Sequence, residues 1–160
     1  LDMERLKTAV YSFEAPLRAG AVLAGAGTEV VAALGRFGRD TGIAYQLVDD
    51  LLGVFGNESA TGKSSMGDLR EGKRTVLIAY AAQTPCWAEL STIIGRPDMG
   101  PGDADRARKI LMDCGARQYA QDLAAQHAAS ARNHLECAEV PTGLAAVLDD
   151  VLSSSVNRGR

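Results

Sequence analysis

The sequence predicts an all-α fold, on three observations. Of its 160 residues, 46% are hydrophobic and only 5% aromatic, so the core must be mostly aliphatic. Alanine, leucine and valine dominate the apolar residues, and alanine and leucine are strong helix formers. Apolar residues recur at steps of three and four, which is the period of one helix face. Because there is no internal repeat and no low-complexity linker, residues 1–160 are predicted to form one domain.

The first two predicted helices occupy the N-terminal third of the chain. Residues 1–24 have helical periodicity, but Pro16 lacks a backbone donor and predicts a bend or break between Phe13 and Pro16. Thr28 is a candidate N-cap, and the longest apolar pattern runs from it to Phe55. That pattern predicts a long buried helix, which Gly56 ends.

Residues 57–74 are rich in turn residues and predict an ordered loop. The rest of the chain predicts scaffold helices, for a bundle of about six or seven helices in all. The predicted helices are residues 75–82, 87–94, 103–114 with Asp103 as the cap, 116–137 and 141–153. Residues 154–160 are expected to fray. The chain begins at Leu1 inside a helical pattern without a capping residue, which predicts that an upstream segment is missing.

Charge and cysteine usage exclude several classes of protein. The formal net charge is −3, which provides no general attraction for nucleic acid or an anionic membrane. Cys86, Cys114 and Cys137 contain no C-x-x-C pair, which argues against a zinc site or a disulfide framework and fits a reducing cytoplasm. Cys114 and Cys137 are predicted to pack in the core. No charged leader precedes an apolar core, and no apolar run approaches the roughly 20 residues of a membrane span, so no stable membrane insertion is expected.

Polar side chains interrupt the long predicted helix. Gln46, Asp49 and Asp50 occupy positions i, i+3 and i+4, so they share one side of that helix among apolar neighbours. Two adjacent carboxylates in such surroundings are costly unless a cation neutralises them. We predict that a magnesium ion neutralises the two carboxylates, with water and phosphate oxygens as its other ligands. The alternative is a solvated acidic face, which the apolar neighbours disfavour.

Basic residues follow the acidic pair closely. They are Lys63, Arg70, Lys73 and Arg74, and Lys7 and Thr8 lie upstream beside the interrupted helix. If the helices pack antiparallel, these groups and the carboxylates surround one pocket suited to a metal-bridged diphosphate. For Lys63 and Lys73 the alternative is an ordinary surface loop.

Four sequence strings together resemble a known family. They are Lys7-Thr8, GIAYQLVDDLLGVFG at residues 42–56, Thr61-Gly62-Lys63, and DLREGKRT at residues 68–75. Their order and spacing are similar to the second aspartate-rich region of the polyprenyl synthetases, the trans-isoprenyl diphosphate synthases, and especially of the bacterial geranylgeranyl diphosphate synthases. The resemblance covers the C-terminal half of such an enzyme.

The resemblance implies a partial helical bundle of the class I terpenoid synthase type, and a prenyltransferase that joins isopentenyl diphosphate to an allylic diphosphate with Mg²⁺. By the same resemblance, Asp49 is the leading magnesium ligand and Asp50 supports it. Asp68 and Arg74 would organise the loop, and the complete enzyme would be a cytoplasmic homodimer. The residues implied to hold the allylic diphosphate and to act in catalysis are Lys7, Thr8, Gln46, Lys63 and Lys73.

The sequence departs from the family pattern in two ways. Position 53 is Gly where the second D-D-x-x-D motif has its third Asp, and the first such motif is absent from residues 1–160. The isolated chain is therefore expected to be inactive. Two other functions stay open: a truncated, non-catalytic subunit that modulates a complete synthase, and a relative of the class I terpenoid cyclases.

Two weaker motifs are set aside. Thr61-Gly62-Lys63-Ser64 resembles the end of a P-loop, but Asn57 stands where the first glycine is needed and a helix precedes it. His127 and His134 share one predicted helix face without an acid or cysteine at ligand spacing on that face, so they are predicted to be surface or interface histidines.

Overall fold

A computed structural model describes residues 5–56 and 66–158, with side chains from residue 9 onward in the first of these ranges. All regular secondary structure in the described residues is helical, which confirms the all-α prediction. A π-helix, Arg5–Glu14, comes first. The α-helices are α1 (Ala15–Leu23), α2 (Thr28–Phe55), α3 (Gly67–Arg70), α4 (Val76–Ala81), α5 (Trp87–Leu90), α6 (Pro101–Asp113), α7 (Ala116–Glu136) and α8 (Thr142–Val156).

Helix α2 has the bounds that its apolar pattern predicts, Thr28–Phe55. The N-terminal pattern changes from π-helix to α-helix after Glu14, inside the stretch that Pro16 marks. Pro16 is the second residue of α1, and because it lacks the N–H that a continuous helix would use, it lies where the hydrogen-bond pattern changes.

The prediction of a loop over residues 57–74 is wrong in its second half. Residues 57–65 lie outside the described residues, but Gly67–Arg70 forms the single turn α3, with Leu69 2% exposed. Because Leu69 has few apolar neighbours in sequence, the periodic pattern is too short to reveal the turn.

Several helix ends also differ from the predictions. Helix α5 ends at Leu90, and α8 continues to Val156. Helix α6 begins at Pro101, so Asp103 lies in its first turn, where its carboxylate accepts a hydrogen bond from the Gly100 N–H at 3.3 Å. Proline is favoured at the first position of a helix, and this explains the earlier start.

The chain divides into two compact units. One contains residues 1–46 and 123–158, and the other contains residues 47–122. The first unit has an aliphatic core with a single phenylalanine, as the composition predicts. Its buried members are Ala21, Leu34, Phe37, Ala128, Ala131, Leu135, Leu148 and Leu152.

Glycines in α2 let the π-helix approach closely within the first unit. A Cβ atom placed on Gly38 would lie 2.9 Å from the Cα of Glu14, and one on Gly42 would lie 2.8 Å from the Cβ of Ala9. Both distances are shorter than real Cβ contacts allow. Larger residues at these positions would therefore force the two backbones apart.

A buried carboxylate ties the π-helix to α2. The Glu14 side chain is 7% exposed and accepts two hydrogen bonds from Arg39, at 2.8 Å from Nε and 2.8 Å from Nη2. The hydrogen bond from Arg39 is the largest cause of the low pKa of Glu14; burial opposes it and Arg18 adds to it. The charged form of Glu14 is therefore favoured in the folded chain.

Replacing Glu14 with glutamine is expected to lower the free energy of unfolding by about 1–2 kcal/mol at neutral pH, since Arg39 loses a charged partner. Because folding lowers the pKa of Glu14, its stabilisation is present above the ordinary value of 4.5 and is lost as the pH falls through the folded pKa. Urea unfolding at pH 7 and in acid measures both effects. Asp149→Asn is the control, since Asp149 pairs with Arg132 at the surface. An equal loss of stability in both variants at pH 7 would contradict the prediction.

The histidines have an acidic partner that sequence spacing does not reveal. His127 Nδ1 lies 2.8 Å from Asp40 Oδ1, and His134 Nε2 lies 3.0 Å from Asp40 Oδ2. Asp40 belongs to α2 and both histidines to α7, so one carboxylate joins two turns of another helix. This arrangement has a structural role in the first unit.

Cys137 is exposed, so the prediction that it packs in the core is wrong. It follows the last residue of α7, where the helix no longer directs it inward. Cys114 is half-buried. Among the described residues, no helix has both the length and the apolar character needed to cross a bilayer.

The second unit fixes the C-terminal end of α2. Arg108 donates a hydrogen bond from Nε to the Val54 carbonyl oxygen at 2.7 Å, and the Arg117 guanidinium lies 4.9 Å from the centre of the Phe55 ring. Cations are favoured at the carbonyl end of a helix. The large apolar side chains of the second unit that are at most 2% exposed include Leu69, Leu77, Leu90, Met99 and Leu111.

Candidate functional site

The candidate site in the second unit is built around Asp50. This side chain is 1% exposed and lies on α2 between Leu47 and Val54, which are also buried. A buried carboxylate is stable only with a cation or several hydrogen-bond donors. The Lys73 ammonium provides the cation, with Nζ 3.1 Å from Asp50 Oδ1.

Asp68 of α3 supplies a second carboxylate to the same ammonium. Its Oδ2 lies 3.2 Å from Lys73 Nζ. The exposed fraction is 26% for the Asp68 side chain and 34% for that of Lys73, so solvent reaches both of these side chains. The Asp50 side chain, in contrast, is buried. Two carboxylates from different helices thus converge on one position occupied by a positive charge.

Gly53 makes room for Asp68. A Cβ atom on Gly53 would overlap Asp68 Oδ2 and would lie 3.0 Å from its Cγ. Position 53 is one turn after Asp49 and Asp50, where the family pattern has a third carboxylate. In this chain the Asp68 carboxylate occupies the space beside that position.

A Schellman motif places Lys73 next to Asp68. The N–H of Lys73 donates to the Asp68 carbonyl oxygen at 3.0 Å, and the N–H of Gly72 donates to that of Leu69 at 3.2 Å. Gly72 has a φ of +63°, which only glycine adopts readily. The turn reverses the chain immediately after α3 and brings the Lys73 side chain back over Asp68.

Substituting Gly72 with alanine is expected to destabilise the chain by about 1–2 kcal/mol and to displace Lys73. Its positive φ disfavours any side chain, and the new Cβ would lie 3.1 Å from the Cα of Gly95. Thermal unfolding measures the loss. Gly67→Ala is the control, because Gly67 lies in the adjacent turn and its added Cβ would meet no atom of the described residues within 4 Å. Equal melting temperatures for the two variants would contradict the argument from backbone conformation.

The charge state of Lys73 follows from its surroundings. Burial by itself lowers the pKa of the Lys73 ammonium, but the charges and hydrogen bonds of Asp50 and then Asp68 outweigh burial and raise it. Lys73 is therefore a full cation at neutral pH.

The structure places the other predicted site residues as follows. Gln46 and Asp49 are half-buried and lie within one turn of Asp50 on α2. Lys7 and Thr8 belong to the π-helix, but their side chains are outside the described part of the chain. Lys63 lies outside the described residues. Arg74 is exposed, and Lys73 pairs with Asp50 of the predicted acidic pair.

Sequence reasoning assigned Asp68 to loop organisation and missed its convergence with Asp50. The available signal was its position five residues before Lys73, which the Schellman turn converts into contact. Among the residues that the structure describes, no group of three or more His, Cys, Asp or Glu side chains is arranged to hold a metal ion by itself. The donor set nevertheless fits magnesium, which commonly takes one or two carboxylates and completes its shell with water and substrate phosphates.

Comparison with protein families decides the kinship. Residues 1–112 match the family model of the polyprenyl synthetases. The chain belongs to the polyprenyl synthetase family. This confirms the resemblance drawn from the aspartate pair and the loop that follows it.

Characterised relatives include prenyl diphosphate synthases from archaea. The chain is 43% identical over 135 residues to the geranylfarnesyl diphosphate synthase of Aeropyrum pernix, which covers 84% of this chain and 42% of that protein. It is 33% identical over 144 residues to the geranylgeranyl diphosphate synthase of Saccharolobus solfataricus, covering 88% of this chain and 42% of the relative. The chain thus spans less than half the length of these relatives.

Solved structures of the family share the fold. The geranylgeranyl pyrophosphate synthase of Corynebacterium glutamicum, complexed with isoprenyl diphosphate and magnesium, superposes with a TM-score of 0.88 at 37% identity, over 97% of this chain and 45% of that one. The polyprenyl synthase of Caulobacter crescentus CB15, complexed with calcium and isoprenyl diphosphate, gives a TM-score of 0.85 at 34% identity, over 99% and 49%. The prediction of a partial isoprenoid synthase bundle is confirmed.

Proposed function

We propose that this chain supplies the second diphosphate-binding and magnesium-binding half of a trans-prenyltransferase. The complete enzyme joins isopentenyl diphosphate to an allylic diphosphate of the geranylgeranyl type. The observation that carries the proposal is the position of Lys73, whose ammonium joins the buried Asp50 to Asp68. A cation between two carboxylates is the arrangement that a metal-bridged diphosphate would use.

Asp50, Asp68 and the neighbouring Asp49 are the residues that would hold magnesium. Asp50 is buried on α2, whereas Asp68 is partly exposed on α3. When bound, magnesium supplies Lewis-acid stabilisation of the departing diphosphate. This assignment gives Asp68 a binding role in addition to its place in the loop.

Lys73 serves the same site in two ways. In the structure its ammonium pairs with both carboxylates and offsets part of the cost of burying Asp50. With a divalent cation held by those carboxylates, Lys73 would be able to turn its charge towards a diphosphate oxygen. Its 34% exposure leaves room for that movement. Lys7, Thr8, Gln46 and Lys63 complete the proposed diphosphate contacts.

Three further expectations belong to the proposal. They are one domain over residues 1–160, a homodimer when the enzyme is complete, and a cytoplasmic location. The names of the relatives support the substrate class, since both archaeal proteins are prenyl diphosphate synthases.

Product analysis tests the activity. Radiolabelled isopentenyl diphosphate, an allylic diphosphate and Mg²⁺ would be incubated with the isolated chain and with a protein of full synthase length that contains it. We expect linear prenyl diphosphates from the longer protein and no turnover from the isolated chain. Cyclic hydrocarbons would identify a terpenoid cyclase instead, and a folded but silent longer protein would identify a non-catalytic subunit.

Lys73→Ala in the longer protein is expected to lower kcat/KM by about 100-fold or more, because a charge-assisted contact to the diphosphate is lost. Lys109→Ala is the matched control, since Lys109 also pairs with a carboxylate, that of Asp113, but at the surface of the same unit. Turnover assays on both variants measure the difference. Unchanged kcat/KM in Lys73→Ala would refute its role at the diphosphate.

A further inference from the structure

Arg70 is a basic residue of the second unit that the proposed diphosphate contacts do not include. Its position in the sequence groups it with the cations that follow the acidic pair. In the structure its Nη2 donates a hydrogen bond to the backbone carbonyl oxygen of Met99 at 2.9 Å. Met99 is 2% exposed and lies in the segment between α5 and α6. Arg70 therefore ties α3, the turn that carries Asp68, to another segment of the same unit.

Backbone contacts join the same two segments. The N–H of Gly95 donates to the Leu69 carbonyl oxygen at 2.9 Å, and that oxygen also accepts the N–H of Gly72 at 3.2 Å. The two glycine backbones lie close together, since a Cβ on Gly72 would be 3.1 Å from the Cα of Gly95. One side-chain and one backbone hydrogen bond, which run in opposite directions, thus connect residues 69–72 with residues 95–99.

These contacts matter because α3 is a single turn of four residues. A helix shorter than about 12 residues is not stable by itself in water, so tertiary contacts must hold this one in place. Leu69 anchors the turn by burial, and the hydrogen bonds to residues 95–99 fix its orientation. Asp68 lies in this turn, so a shift of the turn would move its carboxylate relative to Asp50 and Lys73.

We propose that Arg70 is a positioning residue that holds the Asp68 carboxylate in place beside Asp50 and Lys73. The inference rests on the proposed function, because it assigns Arg70 to the same magnesium and diphosphate site. Arg70 acts through Asp68 and not by contact with the ligands. A charged donor makes a stronger hydrogen bond to a carbonyl oxygen than a neutral donor does, which suits a side chain that holds a short turn.

Amide hydrogen exchange in the metal-free chain tests whether Arg70 holds the turn. Arg70 is exposed, so its replacement leaves no cavity in the core. Arg70→Ala is expected to speed exchange of the Lys73 and Gly95 amides by at least about tenfold, because both N–H groups take part in the hydrogen bonds of the turn. Arg106→Ala is the matched control, since Arg106 forms a surface ion pair in the same unit, and it should leave those amides unchanged. Equal exchange in Arg70→Ala and the parent chain would overturn the proposal.

A double-mutant cycle with Asp68 tests the role of Arg70 at the site. In isothermal titration of the chain with MgCl₂ and inorganic pyrophosphate, Arg70→Ala is expected to weaken binding about tenfold, the lower end for loss of a supporting partner of a metal site. Arg70→Lys keeps a charged donor and should recover most of that affinity. In the Asp68→Ala background, Arg70→Ala should change the affinity by less than about twofold, because no carboxylate is left to position.

Failure of the proposed function and failure of this inference give different results. If Asp68→Ala by itself left the binding of magnesium and pyrophosphate unchanged, the proposed magnesium site would be wrong, and this role of Arg70 with it. If Asp68→Ala weakened binding but Arg70→Ala had no effect, Arg70 would have no positioning role. A full loss from Arg70→Ala in the Asp68→Ala background would likewise overturn the inference, since Arg70 would then not act through Asp68.

Discussion

Replacing Asp50 with asparagine is expected to weaken magnesium-dependent binding of pyrophosphate to the chain by about 100-fold or more, the upper end for loss of one metal-site partner. Asparagine preserves the shape of this buried side chain but removes its charge. The cation position between Asp50 and Asp68 would then have one carboxylate in place of two. Isothermal titration of the chain with MgCl₂ and inorganic pyrophosphate measures the effect.

The stability of Asp50→Asn separates a binding role from a structural one. Lys73 is 34% exposed and keeps Asp68, so it can regain hydration when Asp50 is neutral. We therefore expect the free energy of unfolding to change by only about 1 kcal/mol. Asp98→Asn is the matched control, since Asp98 pairs with Arg96 at the surface. If both variants bind magnesium and pyrophosphate like the parent chain, Asp50 has no part in the site.

The second large effect is expected from exchanging the carboxylate between positions 53 and 68. Gly53→Asp alone should lower stability by about 1–3 kcal/mol and weaken magnesium binding, because its Cβ overlaps Asp68 Oδ2 and places two carboxylates together. Asp68→Ala alone should weaken magnesium binding about 10- to 100-fold. The double variant, Gly53→Asp with Asp68→Ala, should recover most of both losses, since one carboxylate again fills the shared space.

A double-mutant cycle on unfolding free energy and magnesium affinity measures this coupling. Gly53→Ala is the control, because it introduces the same Cβ without a charge. In the Asp68→Ala background it should restore no magnesium affinity, whereas Gly53→Asp should. Losses that simply add in the double variant would mean that Asp68 does not stand in for a carboxylate at position 53.

Helical periodicity predicted much of the fold. The bounds of α2 could be predicted because its apolar pattern spans many turns and ends at a glycine. The single turn α3 could not, since it has one buried apolar residue, Leu69, and no period can be measured over one turn. The start of α6 was also missed, because proline at the first helical position looks like a break in sequence.

Part of the candidate site could likewise be predicted from the sequence, and part could not. The family strings identified the acidic pair and Lys73 as candidates, since their spacing along the chain is itself the signal. The partner of Asp50 was left open between several cations, and the structure selects Lys73 through the Schellman turn at Gly72. Asp68 entered the site only through contact with Gly53 and Lys73, which no linear spacing expresses.

The sequence by itself determined the helical class, the family and the acidic pair, because composition, periodicity and local motifs are properties of neighbouring residues. Tertiary structure alone decided which side chains meet: Lys73 with two carboxylates, and Asp40 with two histidines. Such contacts depend on how the helices pack and on where short turns reverse the chain. Packing is set by the combined shapes of many distant residues, so its outcome cannot be read from any one segment.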